Sequence, residues 1–309
     1  MNRLNSVLQT QFNKLINSVE NMKITTTGGR MAGLGLLLAV AMTGCNYNDF
    51  TTPAKDITVA ATSLGRVMTG ADGKTLYVFA SDVAGQSTCT SAQCAGNWPA
   101  FYKDNTTLLL SEGLADNDFA TITRPDGAKQ TTYKGWPLYY FKNDTKAGDV
   151  LGENVGGVWS VAKPAYSVQL AAGQLTGNDG KRYTTPNTVT YVEGQGTTIY
   201  LADATGRTIY GFAPDRKNKN NYTRADFSNN PTWPLVEIPL VSLQELPSNL
   251  KRADFSSITV FGRDQLTYKG WPLYYFGGDN AVRGMTKGVS VPRPGVWPIF
   301  NASSPEAPN

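Results

Sequence analysis

The sequence predicts an all-β protein: two duplicated antiparallel β domains, each a small sandwich or barrel. A propeller-like ring of four hairpin modules is the alternative topology. Composition is the first observation behind this. With 31 Gly, 17 Pro and 15 Tyr, many Thr and Asn, and few runs of Ala, Glu, Lys and Leu, residues suited to pleated strands and tight turns outnumber helix formers. An internal duplication is the second, and a short aromatic motif repeated inside each copy is the third.

The duplication is read from one block. Thr132–Phe141 is Thr-Tyr-Lys-Gly-Trp-Pro-Leu-Tyr-Tyr-Phe, and Thr267–Phe276 repeats it residue for residue. The six tryptophans pair in the same register: Trp98 with Trp233, Trp136 with Trp271, Trp159 with Trp297. The homologous units run over 58–165 and 190–300. Residues 166–189 are a linker or extra hairpin around Gly177-Asn178-Asp179-Gly180, and 301–309 read as a disordered tail.

Within each unit Tyr-x-Phe-x-x-Asp occurs twice: Tyr77, Phe79, Asp82 and Tyr139, Phe141, Asp144, then Tyr210, Phe212, Asp215 and Tyr274, Phe276, Asp279. In a strand, positions i and i+2 share a face, so each Tyr and Phe point together, and the Asp falls at the strand end where a short carboxylate bonds turn amides. Asp72-Gly73, Asp126-Gly127 and Thr205-Gly206 supply hairpin turns before the motif. Proline holds the Trp of each Trp-Pro pair extended and donates nothing to a ladder, which places these pairs at strand entrances or edges.

The N-terminal region reads as an export signal. Met31–Ala41 is a short apolar run preceded by Lys23 and Arg30, too short to span a bilayer. Met42-Thr43-Gly44-Cys45 resembles the lipobox of bacterial lipoproteins, with Met in place of the usual Leu. Cleavage before Cys45 makes 1–44 the signal peptide, 45–57 a lipidated linker and Cys45 the lipid carrier. Met22-Lys23-Ile24 gives a conventional start to the leader, and residues 1–21 are unusually long before it, so translation is expected to begin at Met22. Acyl chains at about 0.8 kcal/mol per buried methylene make such an anchor lasting. Asn46 lacks the acidic character that retains lipoproteins at an inner membrane, which favours the outer membrane where a cell has two. Cys89 and Cys94 remain as an even pair whose spacing suits a small-loop disulfide in an oxidising compartment.

Charge and the absence of histidine exclude more than they suggest. Of the net +4, the leader carries +3, so the rest is close to neutral and offers no basis for nucleic-acid binding. With no His there is no His-based acid–base pair, no Ser-His-Asp or Cys-His nucleophile, and few routes to zinc, copper or haem. No cofactor is expected. Ser160/Lys163 and Ser248/Lys251 lack the motifs that accompany acyl transfer. Asp144, Asp149 and Glu153 crowd a Gly-rich loop and form the one calcium-like cluster, without EF-hand spacing. The motif aromatics and carboxylates read as core packing, because a scaffold needs four copies and a single site does not. A stacking surface for flat ligands is the competing reading.

The lipobox, the repeated motif, the Trp-Pro pairs and the Gly-Val-Trp ends together resemble a family of bacterial lipoproteins described as secreted repeats with a Tyr-x-(Phe/Trp/Tyr)-x-x-Asp motif. The resemblance covers nearly all of 58–300 and implies location and repeat structure, not an activity. Cys89/Cys94 has no counterpart near Arg224 and Asn229, so the two units differ. The expectation is a membrane-anchored, non-enzymatic envelope lipoprotein that engages an extracytoplasmic protein or glycan. A small-ligand or metal-ion-binding lipoprotein and a histidine-independent hydrolase are the alternatives.

Overall fold

A computed structural model describes residues 53–309, and the expectations placed on the leader and on lipidation of Cys45 lie outside the described residues. The first hairpin joins β1 (Ile57–Thr62) to β2 (Gly65–Gly70), and Asp72-Gly73 turns β2 into β3 (Tyr77–Phe79), with Thr69 bridged to Thr75. A second hairpin of β4 (Phe119–Thr123) and β5 (Lys129–Tyr133) leads into β6 (Trp136–Tyr139). Between β5 and β6, Tyr133 pairs with Trp136, and Lys134 and Gly135 both take positive φ (48° and 77°). That is a type I′ turn, which matches the right-handed strand twist and needs a glycine at its second centre. Lys269 and Gly270 repeat it, which explains why Tyr-Lys-Gly-Trp stands in both blocks.

Each hairpin thus delivers a third strand that ends in the motif. The two third strands of a unit pair antiparallel, Tyr77 directly opposite Tyr139, and β7 (Trp159–Val161) closes the other side of β3. The result is a five-stranded sheet in the order β4-β5-β6-β3-β7. In the second unit Tyr210 is bridged to Tyr274 in the same way, beside β13 (Phe255–Val260), β14 (Arg263–Tyr268) and β15 (Trp271–Pro272). Modules therefore join two by two and not one per blade around a ring. No closed barrel forms among the described residues, and the several small antiparallel sheets make a sandwich-like all-β fold. Among the described residues one short α-helix, α1 (Ala92–Asn97), is capped by the Ser91 hydroxyl. No described helix is long and apolar enough to cross a membrane.

The second unit starts earlier than the repeat suggests. β12 (Thr198–Asp203) ends seven residues before Tyr210, as β2 does before Tyr77, and its antiparallel partner is β8 (Val168–Gly173). So β8 is the counterpart of β1. The intervening 174–197 is an insertion that folds on itself as β9 (Leu175–Thr176), β10 (Arg182–Thr184) and β11 (Val192–Glu193). The Gly177–Gly180 segment is its hairpin turn.

The tail is likewise not free. Trp271 Nε1 donates to the Pro305 carbonyl (3.0 Å), Ala307 N to Lys269 O (2.9 Å) and Lys217 N to Pro308 O (2.7 Å), and Ser304 and Ala307 are buried. Polar composition suggested disorder, but an indole N–H at the end of β15 requires an acceptor, and this segment provides it. In the first unit Trp136 Nε1 finds the Ala204 carbonyl of the second unit (2.9 Å). The tail serves the last unit as the second unit serves the first. The described residues form one compact unit, with a main core cluster drawn from both repeats: Val83, Trp136 and Leu138 with Tyr200, Ala202 and Tyr210.

Candidate functional site

The four motif copies come together in reciprocal pairs. Because the two Tyr stand opposite each other on antiparallel strands, each phenol reaches past its neighbour to the Asp ending the other strand. Tyr77 Oη donates to Asp144 Oδ2 (2.6 Å) and Tyr139 Oη to Asp82 Oδ2 (2.5 Å). In the second unit Tyr210 donates to Asp279 (2.6 Å) and Tyr274 to Asp215 (2.8 Å). All four Tyr are 0 % exposed and all four Asp are buried.

The other carboxylate oxygen closes a loop. Asp82 accepts from Thr88 N (2.7 Å) and its hydroxyl, Asp144 from Leu151 N (3.0 Å), Asp215 from Asn221 N (2.7 Å) and Asp279 from Lys287 N (2.9 Å). A hydrogen bond to a charged acceptor contributes about 1.5–3 kcal/mol, and a buried phenol or carboxylate left unpaired costs comparable energy, so the two halves of the motif depend on each other. Burial raises Asp82 and Asp279 to about 6 and Asp215 to about 7, against the bonds from Tyr and amide that favour the ionised form. Burial, followed by the bonded carboxylate, pushes the Tyr77 phenol well up.

The phenylalanines complete a second device. Phe79 stacks on Trp159 (4.2 Å between centroids), Trp159 on Trp98 (3.7 Å), and Trp98 meets Phe141 (4.3 Å). The second unit repeats the sequence Phe212, Trp297, Trp233, Phe276 at 4.4, 3.5 and 4.4 Å. Each motif Tyr meets a Trp edge-on at 5.1–5.5 Å. Such pairs add about 0.5–1.5 kcal/mol each beyond area burial. Tyr and Phe of each motif do share a face, as the strand period requires: the four Tyr and Phe276 are buried, and Phe79, Phe141 and Phe212 are half-buried against the same clusters. The register of the six tryptophans identified these rings as equivalent, while their stacking was not visible in the sequence.

Cys89 and Cys94 form the expected disulfide, and Cys89 lies in the cluster with Trp98, Tyr139 and Trp159. Its counterpart emerges only in space. Tyr222, like Cys89 seven residues past a motif Asp, packs edge-on against Trp297 (4.8 Å), and Asn229, like Cys94 four before a Trp, donates Nδ2 to the Tyr222 carbonyl (2.7 Å). A ring and an amide hydrogen bond replace a covalent bridge.

The carboxylates of the calcium-like loop are engaged by other groups of the chain. Asp144 is committed as above, Asp149 Oδ2 accepts the N–H groups of Thr145 and Lys146 (2.9 Å each), and Glu153 accepts from Val161 N (2.7 Å) and Ser248 N (2.9 Å). Among the described residues no cluster of three or more His, Cys, Asp or Glu is placed to hold a metal.

One arginine outside the motif holds the units together. Arg283, in the loop closed by Asp279, donates Nε to Val83 O (2.9 Å) and Nη1 to Lys134 O (2.7 Å) and Thr205 O (2.5 Å), and lies over the Trp136 ring at 4.9 Å.

Three segments, 58–102, 120–163 and 258–300, match a protein family described as a secreted repeat of unknown function. Each segment carries one motif copy, those of Tyr77, Tyr139 and Tyr274. The Tyr210 copy lies outside them, and it is the one whose first hairpin is split by the insertion 174–197. No curated protein and no solved structure matches the chain.

Proposed function

We propose, from the premise that this chain belongs to the family of secreted repeats and works outside the cytoplasm, that it is a lipid-anchored envelope lipoprotein which binds an extracytoplasmic protein or glycan and catalyses nothing. One observation carries the non-enzymatic reading: the four most deeply buried carboxylates among the described residues are used on the four motif phenols and on loop amides, in four equivalent pairs. That chemistry makes a rigid scaffold and leaves recognition to the surface. The lipobox-like Met42-Thr43-Gly44-Cys45 supports acylation of Cys45 and attachment, and Asn46 supports the outer of two membranes.

The test uses the full chain in its host. The mature protein should partition into the detergent phase and into outer-membrane fractions, Cys45→Ser should release it, and in-cell cross-linking should recover envelope components. An unmodified Cys45, or turnover on hydrolase substrates abolished by one Asp→Asn change, would defeat the reading.

A further inference from the structure

The scaffold is duplicated, so the surface where the two units differ marks specialisation. Past the motif Asp the first unit reads Val83-Ala84-Gly85-Gln86, and the second reads Arg216-Lys217-Asn218-Lys219. Val83 is buried at the junction of the units, with its carbonyl taken by Arg283. Residues 216–219 are exposed. Residues 217–220 form one wall of an open groove whose other wall is the edge strand β13, in two adjoining hollows of about 230 and 200 Å³ that meet at Asn218.

The first hollow is lined by Lys219, Asn220, Ile258, Thr259 and Phe261, and the second by Lys217, Ser256 and Lys269 with the acidic Asp254 and Glu306. Lys217 pairs with Glu306 (2.8 Å), and Lys269 gives its ammonium to the Ala302 and Ser304 carbonyls. Lys219 has no ion-pair partner among the described residues. Phe261 is 59 % exposed at the tip of the β13–β14 hairpin and holds φ 47°, a left-handed turn position that ordinarily takes Asn, Asp or Gly. Phe261 opens a two-residue turn with Gly262, as Lys134 does with Gly135, and its ring meets Phe227 edge-on at 6.2 Å, so the turn accounts for the backbone but not for an aromatic ring left largely in water.

We propose that this groove binds an anionic glycan, with an acidic group on Lys219, sugar hydroxyls on Asn218, Ser256 and Thr259, and a sugar face on Phe261. The proposal rests on the partner-binding reading above and names its ligand class. Charge selects against neutral sugars, and the interaction weakens with salt because the cation is exposed.

The full chain in detergent is titrated by calorimetry with oligogalacturonate and with neutral maltooligosaccharide. Only the acidic oligomer should bind, and raising salt severalfold should weaken it. Lys219→Glu should reduce affinity about tenfold. Phe261→Asn should do the same while raising the melting temperature, because Asn relieves the turn. Lys129→Glu on the first unit should change nothing. Equal binding of both sugars, no binding of the acidic one, or full affinity in Lys219→Glu overturns the groove. If that happens while envelope partners are still cross-linked in cells, the glycan site alone falls. If cross-linking is also silent, the partner-binding function falls with it.

Discussion

Replacing Arg283 by Ala should loosen the joint between the units more than any exposed charge change. Its guanidinium donates three hydrogen bonds, to two carbonyls of the first unit and one of the second, and rests on Trp136. Each charge-assisted bond contributes about 1.5–3 kcal/mol and the stacking about 1 kcal/mol. Against this stand the several kcal/mol needed to desolvate the cation, and the water that can reach part of the vacated space, since the side chain is only partly buried. The net loss is about 3 kcal/mol. For a body of this size a loss of 1 kcal/mol lowers Tm by about 2–4 °C, so a fall of about 6–12 °C is expected. Arg283→Lys keeps the charge but cannot serve three carbonyls from a planar fork, and should recover about half. Thermal unfolding followed by near-ultraviolet circular dichroism reads the result, and the Ala variant should broaden toward two transitions as the units uncouple. A shift under about 2 °C with one sharp transition would show that the shared core, and not this arginine, joins them.

The Tyr-Asp pairs predict coupling: in a double-mutant cycle of Tyr274→Phe and Asp215→Asn measured by urea unfolding, the two losses should be non-additive by at least about 1 kcal/mol, and additive losses would deny the bond a structural part. Buried carboxyls raised to about 6 and 7 favour the fold when protonated, so stability should rise as pH falls from 8 to about 5, and less so in Asp215→Asn; a flat or falling Tm over that window contradicts this. Exposed carboxylates held low, among them Asp104 and Asp126, act with opposite sign only below about pH 4. Removing the disulfide by Cys89→Ala with Cys94→Ala should cost about 2 kcal/mol from the small closed loop, read as a lower urea midpoint. Deleting 301–309 should lower Tm by several degrees, because Trp271 loses its acceptor and Ala307 its burial; an unchanged Tm would make the tail an ornament.

Much of the architecture was legible in the chain because duplication turns one sequence into its own comparison. The paired tryptophans, the strand period that sends Tyr and Phe to one face, the turn glycines and the even cysteine pair all depend on neighbours close in sequence, where local geometry decides. What lies opposite a strand does not. Only the antiparallel meeting of Tyr77 with Tyr139 and of Tyr210 with Tyr274 converts a repeated Tyr and a repeated Asp into bonds across 57–69 positions. β8 was hidden because an insertion separates it from its partner, and the tail because its partner Trp271 lies 34 positions away. Arg283 and the Lys219 groove were invisible for the same reason. A side chain's reach and the sign of the field around it are set by elements packed from elsewhere in the chain, and pattern along the chain carries no record of distance across it.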